Sequence, residues 1–169
     1  MSGLAVGLGT WPDARAWVDV AVLAAAFVPP AAVLALAGGL INVPPGTHAA
    51  AWRTLALPFL APGLLEECVF RGLLLPHPRR SGLSVRRRAR WWAGSLAVYV
   101  AAHPLVAALA RPAARGVFDS FAFLLEAALL GVAATALYER SGSLWPGVLL
   151  HGAVVAAWLN LGGAALLAR

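Results

Sequence analysis

The 169 residues contain no lysine and one cysteine, and only 12% of them are charged. A soluble domain of ordinary composition carries about 25% charged residues, so a water-facing globule is excluded. The single Cys68 rules out an internal disulfide and leaves the redox compartment unread. Residues 1–16 are Gly-rich and irregular in pattern, with Asp13 and Arg15 their only charges. They lack the basic stretch that opens a secretory signal, so no cleaved leader is expected. No internal repeat is visible, which argues against a small proton-coupled transporter of the repeat type. All 13 basic residues are arginine, and the formal net charge is +6. These arginines cluster between apolar runs, where they set membrane topology. A nucleic-acid partner is not expected.

What is present is apolar: 61% hydrophobic residues and a mean hydropathy of +0.79. The fold class is therefore all-α, a polytopic membrane helix bundle with about five transmembrane helices, some broken by proline. Residues 1–169 are read as a single integral membrane domain. The first span, from about Trp17 to Ile41, is long enough to cross ~30 Å of hydrocarbon, and Pro29-Pro30 should kink or interrupt it. Asn42 to Thr47, with Pro44-Pro45-Gly46, reads as a turn. The second span, about Ala51 to Leu75, carries Pro58 and Pro62, each of which deletes one backbone hydrogen bond. Irregular backbone at membrane depth is tolerated where it faces protein or a wet cavity.

His77 to Arg90 reads as a loop with six arginines (79, 80, 86, 87, 88 and 90) and no acid. The positive-inside rule puts it in the cytoplasm. The third span, Trp91 to Ala110, opens on an interfacial tryptophan pair. The fourth runs from about Phe118 to Tyr138 with Glu126 buried in it. The fifth starts near Trp145, with Pro146 suited to its first turn, and ends near Ala168. Five spans leave the N-terminus inside a cell (inner) membrane and the C-terminus outside.

The chain is organised around Glu66-Glu67-Cys68-Val69-Phe70-Arg71. A charge near the bilayer centre costs at least ~2.5–3.5 kcal/mol, so such groups persist mainly where they are paired and functional. On a helix Arg71 is i+4 from Glu67, and the two can neutralise each other. Glu66 points roughly 100° away and is left without that partner. His103 in the third span, one turn after Tyr99, and His151 near the start of the fifth add two imidazoles at overlapping depth. A carboxylate and an imidazole in a low-dielectric cavity can activate water for hydrolysis.

These residues carry a resemblance. Glu66-Glu67-x-x-x-Arg71, then aromatic-x-x-x-His (Tyr99, His103), then a histidine near the start of the last span resemble the CPBP family. Those are the CAAX-protease and bacteriocin-processing (Abi) intramembrane proteases. The flanks "EECVFRGLLL" and "LLGVAATALYERSGSLWPGVLLHG" are similar to the family's wording, and the resemblance covers roughly Pro58 to Gly152. It implies a glutamic-type intramembrane endopeptidase with Glu66 as base, His103 its partner, Glu67 and Arg71 in support, and His151 an oxyanion donor. It implies a membrane-anchored or lipid-modified protein substrate cut near its terminus. The small size and arginine-only composition look like the bacterial members that process C-terminal sorting tails, the myxosortase type. One departure stands out: the family's last motif is usually HxxxN, and Val155 stands four residues after His151. Asn160 lies on the other side of the helix, while Trp158 shares the His151 face and has an indole N–H to offer.

Other readings fit the same residues. Glu67–Arg71 alone is compatible with a structural salt bridge, and His103 with a hydrogen bond to the Tyr99 carbonyl. Two glutamates and two histidines are reasonable zinc ligands, yet adjacent Glu66 and Glu67 do not both face one ion easily. No cofactor is expected. Val155 favours a non-catalytic relative, a scaffold or immunity protein that binds a membrane peptide in the same cavity.

Overall fold

The computed structural model describes residues 3–41, 52–79 and 82–167. Every regular element among them is helical, as the composition requires. The turn expected at Asn42–Thr47, the start of the second span at Ala51, Arg80 of the basic loop, and Ala168 lie outside the described residues.

The N-terminal segment is not irregular. It forms α1 (Gly3–Gly9), and α2 follows at Ala14–Ala37. Packing overrides the poor helix propensity of glycine here: Leu4 and Leu8 of α1 sit against the buried Leu75, Tyr138 and Leu144. Asp13 caps α2, its carboxylate accepting from the Ala16 N–H at 2.8 Å. Of the kink or interruption expected at Pro29-Pro30, the interruption does not occur: α2 runs through both. Apolar surroundings offer the remaining N–H groups no partner but the helix itself, so two missing bonds do not end it.

The second span is interrupted where its prolines stand. α3 (Trp52–Pro58) gives way to a wide π turn over Phe59–Leu64 in which Ala61 is extended, at φ −139° and ψ 114°. The residue before a proline is driven out of the helical region, and Ala61 precedes Pro62. A short α4 (Leu65–Glu67) then carries the glutamates, and a second π turn, Cys68–Leu73, carries Arg71.

The basic loop is shorter than its sequence suggests. Arg86, Arg87, Arg88 and Arg90 belong to the first turns of α5 (Val85–Leu109). Arginine is a good helix former, and Glu139 offsets the crowded positive charge by accepting from Arg88 and from the Trp92 indole. His77 is buried and donates from Nε2 to the Gly142 carbonyl at 3.0 Å. After α6 (Arg115–Phe118) comes α7 (Phe121–Ser141), capped by Ser120 and closed by Gly142 in the left-handed conformation at φ 68°. α8 (Trp145–Trp158) begins with Pro146 in its first turn. It continues through a π segment to α9 (Ala164–Leu167).

Four helices among the described residues are long and apolar enough to cross a membrane: α2, α5, α7 and the run Trp145–Leu167. With the broken motif segment between α2 and α5, this is a polytopic helical bundle. Phe27 and Ala31 of α2 pack on Leu130, Ala133 and Leu137 of α7 and Leu150 of α8. α8 packs tightly on the first π turn, where a Cβ on Gly152 would lie 2.9 Å from the Cα of Phe59. Gly152→Ala should therefore lower stability by about 1–3 kcal/mol through overpacking. Gly94 has open space around it, so Gly94→Ala should leave the melting temperature unchanged or raise it. Thermal unfolding of both variants in detergent checks this, and an unperturbed Gly152→Ala would contradict the packing.

Candidate active site

α4 and the turn after it present their two carboxylates to different surroundings. Glu67 is 1% exposed, whereas the Glu66 side chain is 25% exposed. Glu67 Oε1 accepts from Arg71 Nη1 at 3.1 Å, the i, i+4 pair the spacing predicts. The same oxygen lies 3.1 Å from His151 Nδ1. A carboxylate can only accept, so His151 Nδ1 carries the proton. Its Nε2 then faces Glu66, whose Oε2 is 3.7 Å away and accepts no hydrogen bond among the described residues. That separation is too long for a direct hydrogen bond.

Arg71 is held at three points. Besides Glu67, its Nη2 donates to the Gly131 carbonyl of α7 at 2.9 Å, and its Cζ sits 4.8 Å above the Tyr99 ring. A desolvated cation over an aromatic face contributes about 2 kcal/mol. Gly131 is small of necessity, since a Cβ there would lie 3.0 Å from Tyr99 Cδ1 and 2.6 Å from Leu96 Cδ1. Gly147 plays the same part for Glu67, whose Oε2 would be 2.8 Å from an added Cβ. Ser95 of α5 donates to the Phe70 carbonyl at 2.7 Å, so α5, α7 and α8 all fasten to the acidic motif.

Tyr99 joins the two imidazoles. Its ring meets His103 edge-on at 5.1 Å and His151 at 6.2 Å. His103 Nδ1 is 3.1 Å from the Tyr99 carbonyl; a carbonyl only accepts, so Nδ1 donates and Nε2 is the free nitrogen. Phe118 and Phe123 flank the His103 ring. The imidazole within ion-pair distance of Glu66 is thus His151 rather than His103. Glu66, His103 and His151 nevertheless line one cavity of about 750 Å³, together with Val155, Trp158 and Glu126. Its remaining walls are mostly aliphatic and aromatic. Among the described residues no group of three or more His, Cys, Asp and Glu is arranged to hold a metal ion.

Trp158 does not supply the donor expected of it, because its indole N–H is given to the Leu40 carbonyl at 2.9 Å. Asn160 is also occupied: it accepts from Thr54 Oγ1 at 3.1 Å and donates to the Ala156 carbonyl at 2.7 Å. Sequence reasoning missed the Gly131 carbonyl and the Arg71–Tyr99 stacking. Neither leaves a local signal in the sequence, because both partners are distant from Arg71 in the chain.

Residues 47–157 match the family described as type II CAAX prenyl endopeptidase Rce1-like, well over half of the chain. The chain belongs to this Rce1-like family. It is thereby a multi-pass membrane protein of the CAAX-type intramembrane endopeptidases, a protease family, as the resemblance to the CPBP proteases implied. No curated protein and no solved structure matches it.

In this Rce1-like protein the Glu67–Arg71 pair is nearly fully buried, which yields a prediction about stability. Removing one member of a buried pair strands the other charge, at a cost of about 3–5 kcal/mol, whereas replacing both is far better tolerated. Glu67→Gln and Arg71→Met should each lower the melting temperature sharply, and the double variant should recover most of the loss. A double variant as unstable as the sum of the two would show that the pair is not coupled.

Proposed function

We propose that the chain is a glutamic-type endopeptidase working inside the membrane, in which Glu66 removes a proton from water. The observation that carries this reading is the position of Glu66. It is a carboxylate oxygen with no hydrogen-bond partner among the described residues, 3.7 Å from an imidazole nitrogen, on the wall of a large apolar cavity. Water between Glu66 and the histidines loses a proton to the carboxylate as its oxygen attacks the scissile carbonyl carbon. The oxyanion that forms is stabilised by an N–H directed at it. His151 becomes that donor by taking the proton onto Nε2, and Glu67, hydrogen-bonded to Nδ1, stabilises the resulting imidazolium. The proton passes from Glu66 to His151 Nε2 and from there to the leaving amide nitrogen as the C–N bond breaks, which completes hydrolysis and returns both groups to their starting state. His103, with its free Nε2, orients the water from across Tyr99.

The substrate is a membrane-anchored or lipid-modified segment cut near its C-terminal end, in keeping with the CAAX prenyl name of the family and the apolar cavity. A sorting tail on a surface protein is the form we favour. Residues 1–169 act as one unit in the cell (inner) membrane, with the N-terminus and the basic segment 77–90 in the cytoplasm. Arg79, Arg88 and Arg140 support this orientation, since their bonds to Ser141, Glu139 and Asp19 gather them at one end of the bundle. The reaction uses no metal.

Glu66→Gln and His103→Ala should each abolish cleavage while leaving thermal stability nearly intact, as followed by mass spectrometry of a reconstituted substrate. Loss of folding in both would instead make these residues structural. A strong chelator should leave the rate unchanged, and inhibition reversed by added zinc would overturn the metal-free mechanism. One specific observation favours a second reading. With Val155 apolar and the Trp158 and Asn160 donors engaged elsewhere, the site has fewer oxyanion donors than its family pattern, which suits a peptide-binding relative without catalysis. Val155→Asn separates the two: it should raise the rate, by up to ~10²–10³-fold for one restored donor, if the site is catalytic.

A further inference from the structure

Glu126 is a third carboxylate in the cavity, and the chemistry above does not use it. It lies on the face of α7 that lines the cavity, in register with Phe123, Ala127 and Leu130. Phe123 is one turn away, about 4.5 Å along the axis, and its ring packs 5.2 Å from that of His103. Toward the other end of α7, Arg71 is bonded to the Gly131 carbonyl. Glu126 therefore stands between the two levels at which the site is fastened to α7.

Nothing among the described residues neutralises it. Oε1 of Glu126 is buried without a hydrogen-bond partner, and none of the ion pairs among the described residues includes this side chain. Arg71 is committed to Glu67 and Gly131. Arg111 also lines the cavity, but it makes no ion pair with Glu126. The neighbouring walls, Phe27, Ala31, Leu130 and Leu150, are apolar. An acid placed at membrane depth among such walls is costly, and it persists where a function pairs it. A passing peptide N–H offers one weak donor, whereas an ammonium or guanidinium neutralises the charge as well as donating.

We infer that Glu126 is a specificity-determining residue that receives a lysine or arginine side chain of the substrate close to the bond that is cut. The inference rests on the protease reading for the identity of the ligand as a peptide, and it adds the selection rule. An apolar segment carrying one cation fits with its positive charge against Glu126 and its backbone near Glu66. The same carboxylate repels an acidic side chain at that place, so the cavity sorts otherwise similar apolar segments by one charge.

The test uses the full chain in detergent with synthetic apolar peptides of about 20 residues, the length of a membrane span. Each carries a single lysine, norleucine or glutamate scanned through its C-terminal half. Binding is read by fluorescence and cleavage by mass spectrometry. The wild type should bind the best lysine peptide at least ~10-fold tighter than its norleucine counterpart, the lower range for a hydrogen bond to a charged group. Glu126→Gln keeps the shape and hydrogen bonding but not the charge, and should erase that difference while leaving the norleucine peptide's affinity unchanged. Glu126→Lys should transfer the preference to the glutamate peptide. A wild type indifferent to lysine, or a Glu126→Gln variant that still prefers it, overturns the inference. Should Glu126→Lys fail to fold, the wild-type series and Glu126→Gln decide alone. Charge-selective binding with no cleavage of any peptide would defeat the protease reading and leave the Glu126 assignment standing.

Discussion

A single oxygen, Oε1 of Glu67, accepts from both Arg71 and His151 in the dry centre of the bundle. Three helices depend on that arrangement. Arg71 passes the connection to α7 through the Gly131 carbonyl and to α5 through the face of Tyr99, while His151 brings in α8. Two donors on one carboxylate keep its charge compensated where water cannot. They also leave the adjacent Glu66 with no cation of its own. The difference between two neighbouring glutamates is thus produced by the helical repeat: one step along the chain turns the side chain from a buried ion pair to a cavity wall.

The rest of the fold builds that cavity and keeps it apolar. Ala61, forced into extended backbone ahead of Pro62, ends α3 and lets the chain re-enter as α4 at a new angle. Gly152 and Gly63 allow α8 to press against that break: a Cβ on Gly63 would lie 2.6 Å from the Pro58 carbonyl oxygen and 3.4 Å from that of Val148. α2 closes the opposite side through Phe27 and Ala31, and its outward face of Val18, Val22, Val33 and Leu36 is exposed, as suits contact with lipid. The result is a chamber in which a few polar groups face an otherwise greasy interior, the usual design of a site that orients one ligand.

Much of this is legible in the sequence because it depends on local spacing. The i, i+4 relation of Glu67 and Arg71, the Pro62 break and the Pro146 helix start follow from residues a few positions apart, and the structure contains all three. What escapes depends on partners distant in the chain. Pro29-Pro30 read as a kink or an interruption, yet the helix runs through both, because the surrounding hydrocarbon leaves the backbone no alternative to it. Arg86 to Arg90 read as loop, because the compensating Glu139 lies 51 residues from Arg88. The glycines of α1 read as irregular chain, although Gly7 is the surface on which Leu144 packs. Trp158 read as an available donor, since nothing local announces the Leu40 carbonyl that accepts its hydrogen bond.

The central claim is that Glu67 fixes the proton of His151 on Nδ1 and so turns a bare Nε2 toward Glu66. Nitrogen-15 NMR of protein labelled at histidine, with His151→Gln to assign the resonances, reads that tautomer directly. The account predicts a proton on Nδ1 of His151, with a resonance that shifts in Glu67→Gln while the His103 signals stay in place. A proton resting on Nε2 of His151, or a His151 spectrum indifferent to the loss of the Glu67 charge, would contradict it.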